Sequence, residues 1–355
     1  MIRTQKDGRM KSTSKKLGFA LIVLSAILLL SLTIAMATGS VNVPFSDTAM
    51  IVLKRLGLAF KSREFTQGHE DIIFFVRFPR VLLAALVGAA LSSAGVAMQG
   101  MFRNPMADPG ILGVSSGAGL GAVICIATGL QTQSMYFTPL FAAVGALSAS
   151  VIIFAFSIRG GKIPIMNLVL SGMAVSMFLS AVTTFILSFI HGDQVKQYMF
   201  WTVGSFNTAR WEKVGLVAGP IIVCIIALQF LSKELNVLLL GEEEAQSMGV
   251  NTLKTRILIL ILTSAATAAA VSVSGTISFV GLIVPHIMRM IVGPDHKVLL
   301  PVSTLAGSVF LVLCDLVGRV AVIPQEINVG IVTSFFGAPY LLYLLNRARK
   351  KGQLY

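Results

Sequence analysis

The residues best suited to ligate a metal or relay a proton are four histidines, His69, His191, His286 and His296. They scatter over loops and helix ends, and no two stand at the i, i+4 spacing of a helix-borne zinc pair. No HExxH helix is present, so a membrane enzyme has no constellation to support it. Cys125, Cys224 and Cys314 are odd in number, far apart and each inside an apolar run, which suits small core residues better than a disulfide framework or a zinc ribbon. A phosphate cradle fails as well: Gly161-Lys162 is followed by Ile163 and lacks the upstream glycine of G-x-x-x-x-G-K-[ST]. Active transport would therefore need ATP handled by another subunit, or an ion gradient. Ion-coupled carriers place acids or histidines inside their spans. Here Asp315 is the only acid within an apolar run and Glu326 sits close to the start of the last one, which weakens the ion-driven alternative without eliminating it.

The elements that must position these residues follow from composition. Of 355 residues 55% are hydrophobic and 12% charged, with a mean hydropathy of +0.85. A soluble domain carries about a quarter of its residues charged, so this chain cannot cover a water-facing surface. The expectation is an all-α polytopic membrane protein. The first apolar run, Leu17 to Ala37, follows a basic stretch and ends in Ala35-Met36-Ala37, as a cleaved leader would. Its length exceeds the roughly 7–15 residues of a leader core, which favours a retained helix. Later runs lie near 81 to 100, 110 to 130, 138 to 158, 164 to 190, 214 to 232, 257 to 274, 276 to 292, 299 to 318 and 328 to 345, making about ten spans.

An even number of spans puts both termini on one side. With the termini inside, 18 of the 28 Lys and Arg residues fall on inner segments and ten on outer ones, a bias that favours cytoplasmic termini. The expected organisation is a basic cytoplasmic N-terminus (1–16), one transmembrane domain (17–345) and a basic cytoplasmic tail (346–355) in a bacterial cytoplasmic membrane. The net charge of +13 then reflects topology and anionic-lipid contact, and no nucleic-acid partner is expected.

Four places depart from a plain helix bundle. Gly113, Gly117 and Gly121 recur every four residues and let another backbone approach one face of the third span. Ser264 to Ser274 is nearly all Ala, Ser, Thr and Val, thin enough to pack tightly or to border a wide cavity. From Gln99 to Gly110 two prolines and two glycines stop the helix and make a sharp re-entry. After the sixth span, Gly241 starts and Gly249 stops a short helix with an acidic first turn, either a docking element or a solvated connector.

Taken together, Arg77-Phe-Pro79-Arg80, Gln99, Arg103-Asn104-Pro105, Ala107-Asp-Pro109-Gly-Ile-Leu-Gly113 and Gly117-Ala118 resemble the membrane subunits of bacterial ABC importers for iron siderophores, haem and cobalamin. The pattern continues in Leu240-Gly241-Glu242, Ala245, Gly249, Gly275 to Arg289, Asp295-His296, Pro324 to Gly330 and Gly337-Ala-Pro339. Position 328 departs from it, being Asn where relatives often carry Pro.

The resemblance implies a ten-helix type II importer permease that pairs with a second copy or close homologue around a central path. Each subunit would sit on a cytoplasmic ATPase, which holds the ATP and Mg, and the pair would receive an extracytoplasmic binding protein. This chain would bind no cofactor or metal itself. By the same resemblance Arg77, Arg80 and Arg319 dock the binding protein, and Gly241, Glu242, Ala245, Gly249 and Val250 couple to the ATPase within 240–250. Gln99, Arg103, Asn104, Pro105, Pro109, Gly113, Gly117, Gly281, Pro285, His286 and Arg289 form the structural or gating motif. An iron siderophore is the first expected cargo, with haem and cobalamin behind it.

Overall fold

The computed structural model describes residues 2–39, 41, 43–55, 67–160 and 163–350. Lys61, Arg63, the Gly161-Lys162 pair and the end of the basic tail, 351–355, lie outside the described residues. Among the described residues the chain is helical, with an isolated bridge between Val322 and Gln325.

Ten apolar helices carry the architecture: α1 (Ile2–Ala37), α2 (Phe78–Phe102), α3 (Val114–Ala127), α4 (Phe137–Ser157), α5 (Ile165–Leu187), α6 (Trp211–Phe230), α7 (Thr252–Ser274), α8 (Val280–Val292), α9 (His296–Val320) and α10 (Val329–Lys350). Seven are long and apolar enough to cross a bilayer, and α3, α8 and α10 carry shorter apolar stretches, so each expected span has its helix. Capping follows the sequence. Pro79 stands in the first turn of α2, Asn251 caps α7 by accepting from the Lys254 N–H at 3.0 Å, and Asp295 caps α9 by accepting from the Lys297 N–H at 3.0 Å.

The most buried helix is α2. Its most apolar window is 89% buried, against 67% for α7 and α9 and 17% for α5 and the apolar part of α1. Ala, Gly and Ser dominate the middle of α2, so neighbouring backbones can approach from all sides. The peripheral helices instead expose Phe156, Phe178, Phe185 and Phe230, a surface suited to lipid and prohibitive in water.

Close packing settles two open readings. In α3, Gly117 lies on the Gly145 carbonyl and Gly121 on the Phe141 carbonyl of α4, leaving no room for a Cβ at either position. Gly113 instead caps the start of α3 with a φ of 67°. The thin stretch of α7 does both things expected of it: Ala266, Ala268 and Ala270 are buried in the bundle, while Ser272 to Gly275 border a cleft.

At 13 residues α8 spans about 20 Å, short of a hydrocarbon core of about 30 Å. The backbone before it, 275–279, is not helical, and such backbone survives at membrane depth only when protein satisfies it. Ser205 donates its N–H to the Ser274 carbonyl at 2.8 Å, the Thr276 hydroxyl donates to the Thr202 carbonyl, and the Gly330 N–H reaches the Gly204 carbonyl at 3.2 Å. The end of the helix Gly192–Val203 and the start of α10 thus hold the break.

Candidate docking, hinge and coupling sites

Arg77 precedes α2, Arg80 lies in its first turn and Arg319 in the last turn of α9, which places all three at one end of the bundle. The structure brings them together but turns them inward, each 5–7% exposed. Arg77 donates to the Met36 and Ala37 carbonyls at 2.8 Å and to the Val41 carbonyl. Arg319 donates to the Ala35 carbonyl at 2.8 Å and the Thr38 carbonyl at 3.2 Å. Together they satisfy the orphan carbonyls at the negative end of α1. Arg80 grips Asp315 with Nε at 3.1 Å and Nη2 at 2.9 Å, and its Nη1 reaches Glu326 at 2.8 Å. Arg319 Nε lies 3.2 Å from the second Asp315 oxygen, an ion-pair contact without hydrogen-bond alignment. Expected on the outer face as a docking site, these arginines fasten α1, α2, α9 and the segment just before α10 to one another. Burial of the long guanidinium groups against carbonyls 36 or more residues away leaves no sequence signal beyond the arginines themselves.

Deeper in the bundle, Pro285 removes the N–H that would bond to the carbonyl of Gly281, four residues before it in α8. Gln99 supplies the missing donor: buried in α2, its Nε2 donates to the Gly281 carbonyl at 3.3 Å and the Leu282 carbonyl at 3.1 Å. Gly95, one turn earlier, lies against the Gly281 backbone so closely that no Cβ fits.

The re-entry beside this joint is built as its sequence requires. Arg103 ends α2 in the left-handed region at φ 51°, the Asn104 N–H bonds back to the Gln99 carbonyl at 3.2 Å, and Asn104 Oδ1 accepts from the Met106 N–H at 2.9 Å across Pro105. Asp108 then accepts from the Gly110 N–H at 2.7 Å and caps the turn that Pro109 opens. Burial raises the Asp108 carboxyl above the usual carboxylate range, against the opposing pull of that N–H. His286 packs edge-on to Tyr340 of α10 with ring centres 6.3 Å apart, and Arg289 lies in the last turn of α8, where its charge suits the helix dipole.

At the opposite end from the three arginines, two short helices, Ser232–Leu238 and Glu242–Ser247, follow α6. Gly241 starts the second. Its end is a left-handed cap: Gly249 has φ 84°, its N–H bonds to the Gln246 carbonyl at 2.9 Å, and the Val250 N–H returns to the Ala245 carbonyl at 3.0 Å. Nothing crowds Gly249, so backbone conformation alone demands glycine there. Ala245 is fully buried, while Leu240 and Met248 are 59% and 60% exposed beside Glu243 and Glu244.

Residues that the sequence did not single out bolt this segment to the bundle. Arg256 of α7 pairs with Glu242 at 3.0 Å and donates to the Ile163 carbonyl at 3.2 Å. Asn236 donates to Asp295 at 2.7 Å and accepts from the His296 N–H at 2.8 Å, tying the segment to the start of α9. A basic residue one turn into a span and an Asn before an acidic turn were the available hints. Among the described residues no group of three His, Cys, Asp or Glu side chains converges on a metal site.

The profile of the FecCD transport family matches residues 27–347. The chain belongs to that family. As a FecCD permease it is 40% identical to a hemin transport system permease of Yersinia pestis, with 94% of this chain and 96% of that one covered. It is 45% identical over 276 residues to a cobalamin import permease of Halobacterium salinarum, covering 78% of this chain and 73% of that one, and 35% identical to a Fe(3+)-citrate import permease of Bacillus subtilis, covering 97% and 98%. A solved metal-chelate type ABC transporter in an inward-facing conformation superposes with a TM-score of 0.80 at 32% identity, over 92% of this chain and 98% of that one. The FecCD permease is thus an all-α membrane subunit of an ABC importer with the type II importer fold.

Proposed function

We infer that this permease moves a metal chelate, with an iron siderophore as first choice, along a path shared with a second copy or close homologue. Its termini lie in the cytoplasm, an extracytoplasmic binding protein delivers the cargo at the Arg77, Arg80 and Arg319 end, and a cytoplasmic ATPase carrying ATP and Mg engages the 240–250 segment. This chain supplies no nucleotide site of its own. Relatives named for hemin and Fe(3+)-citrate transport support the iron reading.

The observation that carries the coupling role is the Glu242–Ser247 helix. One face is pinned through Ala245 and Glu242, and the other presents Leu240 and Met248 outside the crossing helices, a small apolar patch framed by acids that suits a partner protein. At the opposite end the three buried arginines outnumber Asp315 and Glu326 by one charge, so the rim keeps a positive bias toward acidic residues of a binding protein even though its guanidinium groups are engaged at home.

The ion-driven alternative depends on Asp315 or Glu326 exchanging a proton or cation. Asp315 is clamped between Arg80 and Arg319, which argues against a carrier role. The test is uptake of an iron chelate into proteoliposomes holding the permease, ATPase and binding protein: accumulation should require ATP inside and persist when the proton gradient is collapsed. Accumulation that survives without ATP and stops with the gradient would overturn this reading.

A further inference from the structure

A cleft of about 610 Å³ opens among the end of α3, the start of α4, the helix Gly192–Val203, the start of α6 and the end of α7. It lies at the arginine end, since Trp211 at the start of α6 bonds through its indole N–H to the Phe74 carbonyl just before α2, at 2.8 Å. Its size suits a drug-sized ligand. The walls are apolar with a few polar groups, and the charged ones are all of one sign: Arg210 and Lys213, with no carboxylate among the lining residues.

Arg210, the extended cap before α6, and Lys213, in its first turn, both line this cleft. Both stand at the positive end of the helix dipole, which adds to their field. Lys213 spends one donor on the Thr208 hydroxyl at 2.6 Å and keeps two. Arg210 is exposed and has no intrachain hydrogen bond or ion pair among the described residues, in contrast to the fully engaged Arg80 at the same end. Gln131 and Gln197, bonded to each other at 3.3 Å, and Asn207 add neutral donors along the wall. Two uncompensated cations in a half-enclosed apolar cleft raise the local concentration of anions and leave neutral solutes unaffected.

We propose that Arg210 and Lys213 form an anion-selective subsite for a carboxylate-bearing metal chelate entering this permease. The proposal rests on the metal-chelate reading above and narrows its cargo to a negatively charged class, setting aside uncharged complexes. Held by one ammonium point charge and one guanidinium fork, the chelate's free carboxylates would orient it at the mouth of the path.

The probes are radiolabelled ferric citrate and an uncharged ferric trihydroxamate, titrated onto the full permease reassembled with its ATPase in nanodiscs. Wild type should bind ferric citrate with an affinity that falls as salt rises. Arg210→Gln/Lys213→Gln should weaken it about fivefold to tenfold, and Arg210→Lys should hold within about twofold. Binding of the trihydroxamate should move with neither substitution nor salt. Should the double variant fail to fold, Arg210→Gln alone, at an exposed side chain without intrachain partners among the described residues, should still weaken ferric citrate about twofold to threefold and flatten its salt dependence. Ferric citrate binding that ignores both salt and the double substitution, or equal losses for both chelates, would overturn the subsite. In the proteoliposome uptake assay above, ATP-driven accumulation of the trihydroxamate alongside salt-independent citrate binding would sink the subsite and leave import standing. Absence of ATP-driven accumulation of any chelate would sink the import reading, while the citrate titration would still report on the subsite.

Discussion

Pro285 and Gln99 work as a pair: one takes a hydrogen-bond donor away from the Gly281 carbonyl and the other returns it from a neighbouring helix. A buried carbonyl left without a donor costs about 1–3 kcal/mol. Gln99→Leu should therefore destabilise the protein by about that amount, read from thermal unfolding in nanodiscs, and Pro285→Ala in the same chain should recover part of the loss by restoring the N–H. Additive losses in the double variant would refute the pairing. At the arginine end, Arg80→Met leaves Asp315 and Glu326 short of a cation and should cost about 3–5 kcal/mol, with Arg80→Met/Asp315→Leu milder than the single change. A role confined to docking predicts the reverse pattern: unchanged unfolding and weakened binding of the partner.

At the scale of elements, the helix Glu242–Ser247 is short and marginal alone, so in the proposed coupling role its caps and bolts would decide whether it transmits force. A β-branched residue at Gly249 must adopt φ near 84°, at a cost of about 1–2 kcal/mol. Gly249→Val should lower chelate uptake per ATP hydrolysed severalfold in proteoliposomes while unfolding of the whole chain shifts little. Arg256→Gln, which frees Glu242 from α7, should act in the same direction. Unchanged uptake per ATP in both variants would remove the 240–250 segment from the coupling role.

The whole molecule is a bundle whose axis, α2, is fastened at one end by guanidinium groups to α1 and α9 and, toward the other, by Gln99 to α8. Rocking between outward and inward access needs only two packings of such rigid pieces with different partner contacts. Orientation is open to direct measurement. Single cysteines at Ser14, Glu243 and Gln353 should all react with a membrane-impermeant maleimide from the cytoplasmic face, against the background of the native Cys125, Cys224 and Cys314, which are buried. Labelling of Ser14 and Gln353 from opposite faces would require an odd number of crossings.

Hydropathy alone determined the helical membrane class, the ten spans and their approximate limits, because a bilayer demands about twenty apolar residues wherever the chain crosses and punishes charge there. Local backbone chemistry was equally legible: Pro105 and Pro109 forecast the re-entry, and Gly249 the end of the short helix Glu242–Ser247. Only tertiary structure decided where the long side chains go. Arg77, Arg80 and Arg319 read as a surface, yet the carbonyls and acids that draw them inward come from α1, α9 and the segment just before α10, up to 284 residues away in sequence. Arg210 and Lys213, unremarked in the sequence, gain their meaning from walls supplied by α3, α4 and α7. A side chain's charge is written in its residue type, but whether that charge is neutralised depends on which distant backbone folds against it.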